Sequence, residues 1–124
     1  MTSGIILFAH GSRTAGWAEP FERIRARVAA KQPEAHVSLA YLELMSPDLA
    51  TAIDGMADAG VGRISVVPLF LAPGGHVRGD LPRLVDAALE RHPALRIRLL
   101  PPIGESDALL NAIADWAADG AFDG

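Results

Sequence analysis

The sequence predicts an α/β domain of flavodoxin-like, three-layer αβα architecture with a four-stranded parallel sheet in the order 2-1-3-4. Three observations carry that prediction. Short apolar runs alternate with amphipathic stretches, Gly, Pro or Asp/Ser punctuation separates each from the next, and a length of 124 residues suits one domain spanning 1–124. Strands that alternate with helices need crossover connections, which are right-handed and bury a parallel sheet between helices.

The first strand is expected at about Gly4 to Ala9, and the first helix from about Trp17 to Gln32, with Phe21, Ile24 and Val28 at helical spacing and Pro33 as its stop. A second strand follows at about Val37 to Glu43. Ser46-Pro47-Asp48 then starts a helix carrying Leu49, Ile53 and Met56, which Gly60 closes. The third strand runs from Ile64 to about Phe70, although Pro68 cannot donate to a ladder, so a shortened strand or a bulge is expected there. After the turn Pro73-Gly74-Gly75-His76 comes a helix presenting Leu81, Leu84, Val85 and Leu89, with Asp80 as its expected N-cap before Leu81-Pro82 and Pro93 as its stop. The fourth strand is about Arg96 to Leu100. A last helix carries Leu109, Leu110, Ile113 and Trp116, and the tail after Ala118 is expected to fray.

Composition narrows the chemistry. Half the residues are hydrophobic and mean hydropathy is +0.23, yet no apolar run reaches the roughly 18 residues of a membrane span, so a soluble protein with apolar surface to hide is expected. That surplus suits a buried sheet, a subunit interface or a pocket for a flat organic ligand. A net charge of −4 without a basic cluster argues against DNA or RNA as partners. With no cysteine, thiolate metal sites, disulfides and cysteine nucleophiles drop out, and any metal chemistry falls to His and carboxylates. The opening residues lead directly into Gly4-Ile5-Ile6-Leu7-Phe8-Ala9 without a basic lead, which reads as a strand and gives a cytoplasmic expectation.

In a sheet of this order the ligand crevice lies beyond the carboxyl ends of the strands, where the winding reverses between strands one and three. Two segments fall there: Ala9-His10-Gly11-Ser12-Arg13 and Gly74-Gly75-His76-Val77-Arg78-Gly79-Asp80. Each sets a histidine beside glycine and an arginine. Glycine permits a sharp turn and close approach of a ligand, and imidazole binds transition metals or exchanges a proton near neutral pH. One histidine at a strand end is ordinarily a hydrogen-bonded structural residue; two at the switch point favour a site. Ser12, Arg13 and Arg78 suit a polar ligand as donors, but Ser12 equally suits a turn cap and the arginines a solvated surface. His36, before strand two, and His92, at a helix end where positive charge suits the dipole, read as structural. Trp116 reads as core or interface packing, and Trp17 is open.

These motifs resemble the CbiX/SirB chelatase family over nearly the whole chain. The resemblance rests on the leading strand with His10-Gly11-Ser12-Arg13, on Val67-Pro68-Leu69-Phe70-Leu71 before Gly74-Gly75-His76, and on Asp80-Leu81-Pro82. It implies insertion of a divalent ion into a sirohydrochlorin-type tetrapyrrole, with His10 and His76 at the metal and catalytic, and no tightly bound cofactor. The ion, Co2+ or alternatively Fe2+ or Ni2+, is a substrate. Gly74 and Gly75 join Ser12, Arg13 and Arg78 as macrocycle-binding positions, and Tyr41-Leu42-Glu43-Leu44 fits the family pattern, which makes Glu43 an auxiliary metal ligand. Short family members are about this long and form homodimers, so a homodimer is implied. One departure concerns Gly104-Glu105-Ser106-Asp107, where the family often has a glycine soon followed by His-Pro.

The implied chemistry suits the residue types. A chelatase holds an ion loosely, presents it to four ring nitrogens and accepts two pyrrole protons, so few protein ligands favour transfer over storage. Imidazole, with a pKa of about 6.5, suits both tasks. A non-catalytic tetrapyrrole or metal carrier would use the same residues. A phosphate-handling histidine hydrolase or mutase fits less well, because Ala9 stands where such enzymes place an arginine and Gly-Gly-His would lack a role. Neither a Gly-x-Gly-x-x-Gly fingerprint nor a Walker-type Gly-Lys-Ser/Thr is present.

Overall fold

The computed structural model describes residues 1–122. Its elements run β1 (Ser3–Ala9), α1 (Glu19–Lys31), β2 (His36–Tyr41), α2 (Leu49–Asp58), β3 (Arg63–Pro68), α3 (Gly75–Arg91), β4 (Arg96–Leu99), a short 3-10 turn (Ile103–Glu105) and α4 (Asp107–Gly120). All strand pairs are parallel in the order β2-β1-β3-β4, with Phe8 facing Ala40 on one side and Pro68 on the other. The expected topology is the observed one.

Alternation along the strands assigns the two faces. Ile6, Phe8, Ala40, Ile64 and Val66 point to the face covered by α2 and α3, where Leu49, Ile53, Met56 and Leu81 complete the main core. Leu7, Ala9, Leu39 and Tyr41 point to the other face, against Trp17, Phe21 and Val28 of the α1 side. Helix α2 begins where Asp48 accepts a hydrogen bond from the Thr51 backbone N–H, the N-cap that Ser-Pro-Asp foretells. That bond holds the Asp48 carboxyl below the usual carboxylate range.

Two elements depart from expectation. Helix α3 starts at Gly75, so His76 lies in its first turn and Asp80 is inside it, paired with Arg83 at 3.8 Å; it is not the N-cap. Gly74 holds that position in extended conformation. Pro82 misleads because prolines favour the first helical turn, whereas here it sits in the interior and leaves the Arg78 carbonyl without its helical donor. Gly75, Gly79 and Pro82 all oppose helix formation, and the segment is held by half-buried Val77 and buried Leu81 one turn apart. The second departure is α4, which continues past Ala118 to Gly120 yet contributes nothing to the core: Trp116 is 80% exposed.

Pro68 closes β3, as its missing donor requires. Leu100 N–H donates to the Val66 carbonyl, the next bond from β3 to β4 would need a Pro68 N–H, and β4 ends at Leu99.

Helices α2 and α3 are also joined where Asp54, midway along α2, meets the carboxyl end of α3: His92 Nε2 at 2.7 Å and Arg91 Nε at 3.0 Å. The His92 hydrogen bond, offset in part by burial and reinforced by Arg91, lowers the Asp54 pKa. A carboxylate depressed in the folded state stabilises it fully above the unfolded pKa of about 3.9, and that contribution disappears as pH falls through the folded value. Asp54→Asn is therefore expected to melt below wild type at neutral pH, with the gap closing under about pH 4. Thermal scans across that range check it; a gap independent of pH would place the effect elsewhere.

Candidate metal centre

The four loops at the carboxyl edge of the sheet bring the chemistry-bearing residues to one rim. β1 is central, so the residue after it stands between the ends of β2 and β3. His10 occupies that position, and its backbone carbonyl accepts from Glu43 N–H at 3.1 Å while Ala9 accepts from Leu42 N–H at 2.9 Å. These bonds carry the β1–β2 ladder past the last strand residue. Gly11 makes the close approach possible: its φ is +95°, and a Cβ there would lie 1.9 Å from the Glu43 carbonyl oxygen. Leu44 follows at φ 65°, an unfavourable left-handed conformation for leucine.

The outcome is a contact between side chains that follow consecutive strands, β1 and β2. His10 Nε2 lies 3.2 Å from Glu43 Oε1, with both side chains a little over half exposed. Two ligand atoms each about 2.0–2.2 Å from one ion sit roughly 2.8–3.6 Å apart at octahedral to tetrahedral angles, so the spacing of this pair is compatible with a shared divalent cation. Imidazole nitrogen with carboxylate oxygen is a donor set that Co2+, Fe2+ and Ni2+ accept. Behind His10, the Phe70 ring meets the imidazole edge-on at 6.2 Å and Phe8 in the same manner at 5.7 Å. Phe8 is fully buried, so the imidazole is braced against the core.

His76 stands on the neighbouring rim in the first turn of α3 and is exposed. Among the described residues no three His, Asp or Glu side chains converge on one ion position, so His10, Glu43 and His76 do not form a ready three-ligand cage. Gly74 and Gly75 form the start of α3 with open space around them, and a Cβ at either would meet nothing within 4 Å. Ser12 Oγ accepts from Thr14 N–H at 3.0 Å, the turn-capping alternative, and Arg13 is exposed beside it. Arg78 reaches Glu105 at 3.8 Å across the gap between α3 and the 3-10 turn. A cavity of about 250 Å³ lies there, lined by Arg78, Leu81, Leu99, Leu100, Pro101 and Pro102.

Sequence reasoning missed Phe70 and Glu105 as members of this rim. Phe70 reads as one more apolar strand residue, and only the strand order places it against His10. Glu105 falls in the loop that departs from the family pattern, with no local signal of a partner. The structural expectations for the remaining histidines hold: His36 opens β2 at the surface, and His92 caps α3 while bound to Asp54. Trp17 packs on Phe21 at 4.7 Å and near Tyr41, on the sheet face away from the main core.

Known proteins with similar sequences and structures carry consistent names. The chain is 35% identical over 83 residues to the sirohydrochlorin cobaltochelatase of Methanosarcina barkeri, and 28% identical over 120 residues to the sirohydrochlorin ferrochelatase of Bacillus subtilis. These alignments take in 67% and 91% of this chain but 64% and 43% of the relatives, so the chain spans only part of their length. The crystal structure of the cobalamin biosynthesis CbiX protein of Marinobacter aquaeolei VT8 superposes with a TM-score of 0.82 at 37% identity, covering 96% of this chain and 97% of that one. The sirohydrochlorin chelatase SirB of Bacillus subtilis subspecies spizizenii, in complex with cobalt, superposes at 0.74 and 28% identity, covering 96% of this chain and 51% of that one. The CbiX family model matches residues 4–119, and the chain belongs to the CbiX family.

Proposed function

We propose that this chain, as one domain over residues 1–124, is a cytoplasmic sirohydrochlorin chelatase that works as a homodimer and inserts a divalent ion into the macrocycle. Co2+ is the foremost candidate, with Fe2+ or Ni2+ as alternatives. The observation that carries the reading is the solvent-open His10–Glu43 pair at the sheet's switch point, 3.2 Å apart and facing the rim that bears His76. An ion held by one imidazole and one carboxylate keeps most of its coordination sphere for water and ring nitrogens, so it can leave. Insertion releases two pyrrole protons, and a histidine freed of metal is a base near neutral pH. Sirohydrochlorin carries carboxylates around a flat apolar ring. Arg13 and Arg78 supply cationic donors, while Ser12, Gly74 and Gly75 offer backbone that a ring edge can approach. Relatives named for cobalt and relatives named for iron both resemble the chain, which supports the chelatase reading without choosing the ion.

Anaerobic absorbance spectroscopy of sirohydrochlorin with Co2+, Fe2+ or Ni2+, with and without the protein, tests this. Insertion faster than the protein-free control is expected, and relative rates rank the metals. Macrocycle binding with insertion no faster than the control would make the protein a carrier.

A further inference from the structure

The rim offers two cations to a polycarboxylate, and they are not equivalent. Among the described residues Arg13 has no acidic partner, whereas Arg78 Nη1 lies 3.8 Å from Glu105 Oε2, with both side chains about half exposed. Glu105 falls in the loop where the chain departs from the family pattern, and the local structure does not need its charge. Backbone bonds close the 3-10 turn, Glu105 N–H to the Pro102 carbonyl and Ser106 N–H to the Ile103 carbonyl, and the Ser106 hydroxyl caps α4. The turn is pinned, since Gly104 N–H donates to the Phe70 carbonyl and a Cβ at Gly104 would lie 1.6 Å from the Leu71 carbonyl oxygen. Phe70 also braces His10, so the Glu105 backbone stands in a fixed relation to the metal pair.

We propose that Glu105 is an internal stand-in for a substrate carboxylate: it occupies Arg78 in the free protein, a carboxylate of the bound macrocycle displaces it, and this exchange sets how tightly the macrocycle is held. The proposal rests on the chelatase reading above and adds a positioning residue to it. On α3, Val77 and Leu81 pack on the core, and at about 100° per residue His76 and Arg78 fall on opposite flanks of Val77. The Arg78 flank faces the end of β4, where the cavity of about 250 Å³ has a floor of Leu81, Leu99, Leu100, Pro101 and Pro102, with Arg78 as its one charged lining residue. Such a cleft suits a carboxyalkyl side chain, its methylenes on the apolar floor and its carboxylate on the guanidinium. The end of β4 lies two strand spacings, about 10 Å, from the end of β1 that carries His10, which matches the periphery of a macrocycle centred on the metal pair. Both carboxylates are tethered, so geometry decides between them. The pinned turn leaves Glu105 at a single 3.8 Å approach, a weak exposed pair, whereas a carboxylate of the macrocycle can take the bidentate position. A macrocycle without a carboxylate there leaves Arg78 with Glu105 and gains nothing from it.

Fluorescence titration of the full chain with metal-free sirohydrochlorin tests this, at about 0.15 M salt, where exposed charges more than about 8 Å apart are largely screened. Glu105→Gln is expected to bind the macrocycle about 2- to 5-fold more tightly, the scale of an exposed ion pair, and Arg78→Gln about tenfold more weakly. In the Arg78→Gln background the Glu105 substitution should have no effect, because nothing is left to compete for. Damage to the turn would give a loss of affinity where a gain is expected, and in turnover the gain should appear in KM with kcat unchanged. Unchanged or weaker binding by Glu105→Gln, or the same gain without Arg78, would overturn the stand-in while sparing the chelatase reading. Failure of the wild type to bind sirohydrochlorin would overturn both.

Discussion

Metal insertion into sirohydrochlorin by His10→Ala is expected to fall by about 10²- to 10⁴-fold, the range ordinarily lost with a positioned acid–base group. The reason lies in how His10 is held. Its backbone is tied to Glu43, its ring is braced by Phe70, and its Nε2 faces Glu43 Oε1. On the proposed function, removing the imidazole takes away a metal donor and a proton acceptor together. His76→Ala is expected to lose a comparable factor while leaving the His10–Glu43 pair in place. Glu43→Gln keeps the shape but not the charge, and roughly 10- to 100-fold is expected, the scale on which supporting carboxylates act at metal sites. Non-additivity is the sharper diagnostic: if His10 and Glu43 share the ion, the double variant should be scarcely worse than His10→Ala alone. Initial rates for the four proteins decide this, and strictly multiplicative losses would separate the two residues.

Gly11→Ala is the second substitution of large expected effect, although it removes no functional group. The new Cβ would have to occupy a φ of +95° and would lie 1.9 Å from the Glu43 carbonyl oxygen, so the loop must move and the Glu43 N–H to His10 carbonyl bond is lost. Backbone strain and the lost bond together cost on the order of 3 kcal/mol. Gly16→Ala is the control, since its φ is +78° with nothing within 4 Å, and it should cost only about 1 kcal/mol. Urea unfolding measures both. Metal insertion should fall in Gly11→Ala with both histidines intact, and equal losses for the two variants would mean that the contact with Glu43 is unimportant.

Much of this was legible in the chain because the alternation of apolar runs leaves little freedom of topology, and topology assigns the rim. Once β1 is central, His10 must stand between the ends of β2 and β3. The pairing of His10 with Glu43 was less accessible, since it depends on a ladder continuing two residues beyond Tyr41 and on the room left by Gly11. The start of α3 was misplaced because Pro82 and Asp80 carry the local signals of a helix start, while the real start is secured by packing of Val77 and Leu81. α4 shows a different limit: its apolar spacing announces a buried face, yet Leu109, Leu110, Ile113 and Trp116 are all exposed.

Pro68 reaches further than the end of one strand. A residue able to donate there would add one bond, to the Leu100 carbonyl, and the register then sets Pro102, which also lacks an N–H, against the carbonyl of residue 68. The ring works instead as a wedge in a seam. Beyond it one lip turns toward His10 with Phe70, and the other turns into the 3-10 segment that carries Glu105 toward Arg78. Two absent hydrogens, at Pro68 and Pro102, thus part the fabric of the sheet, and the opening lies where the histidine rim and the 3-10 turn meet.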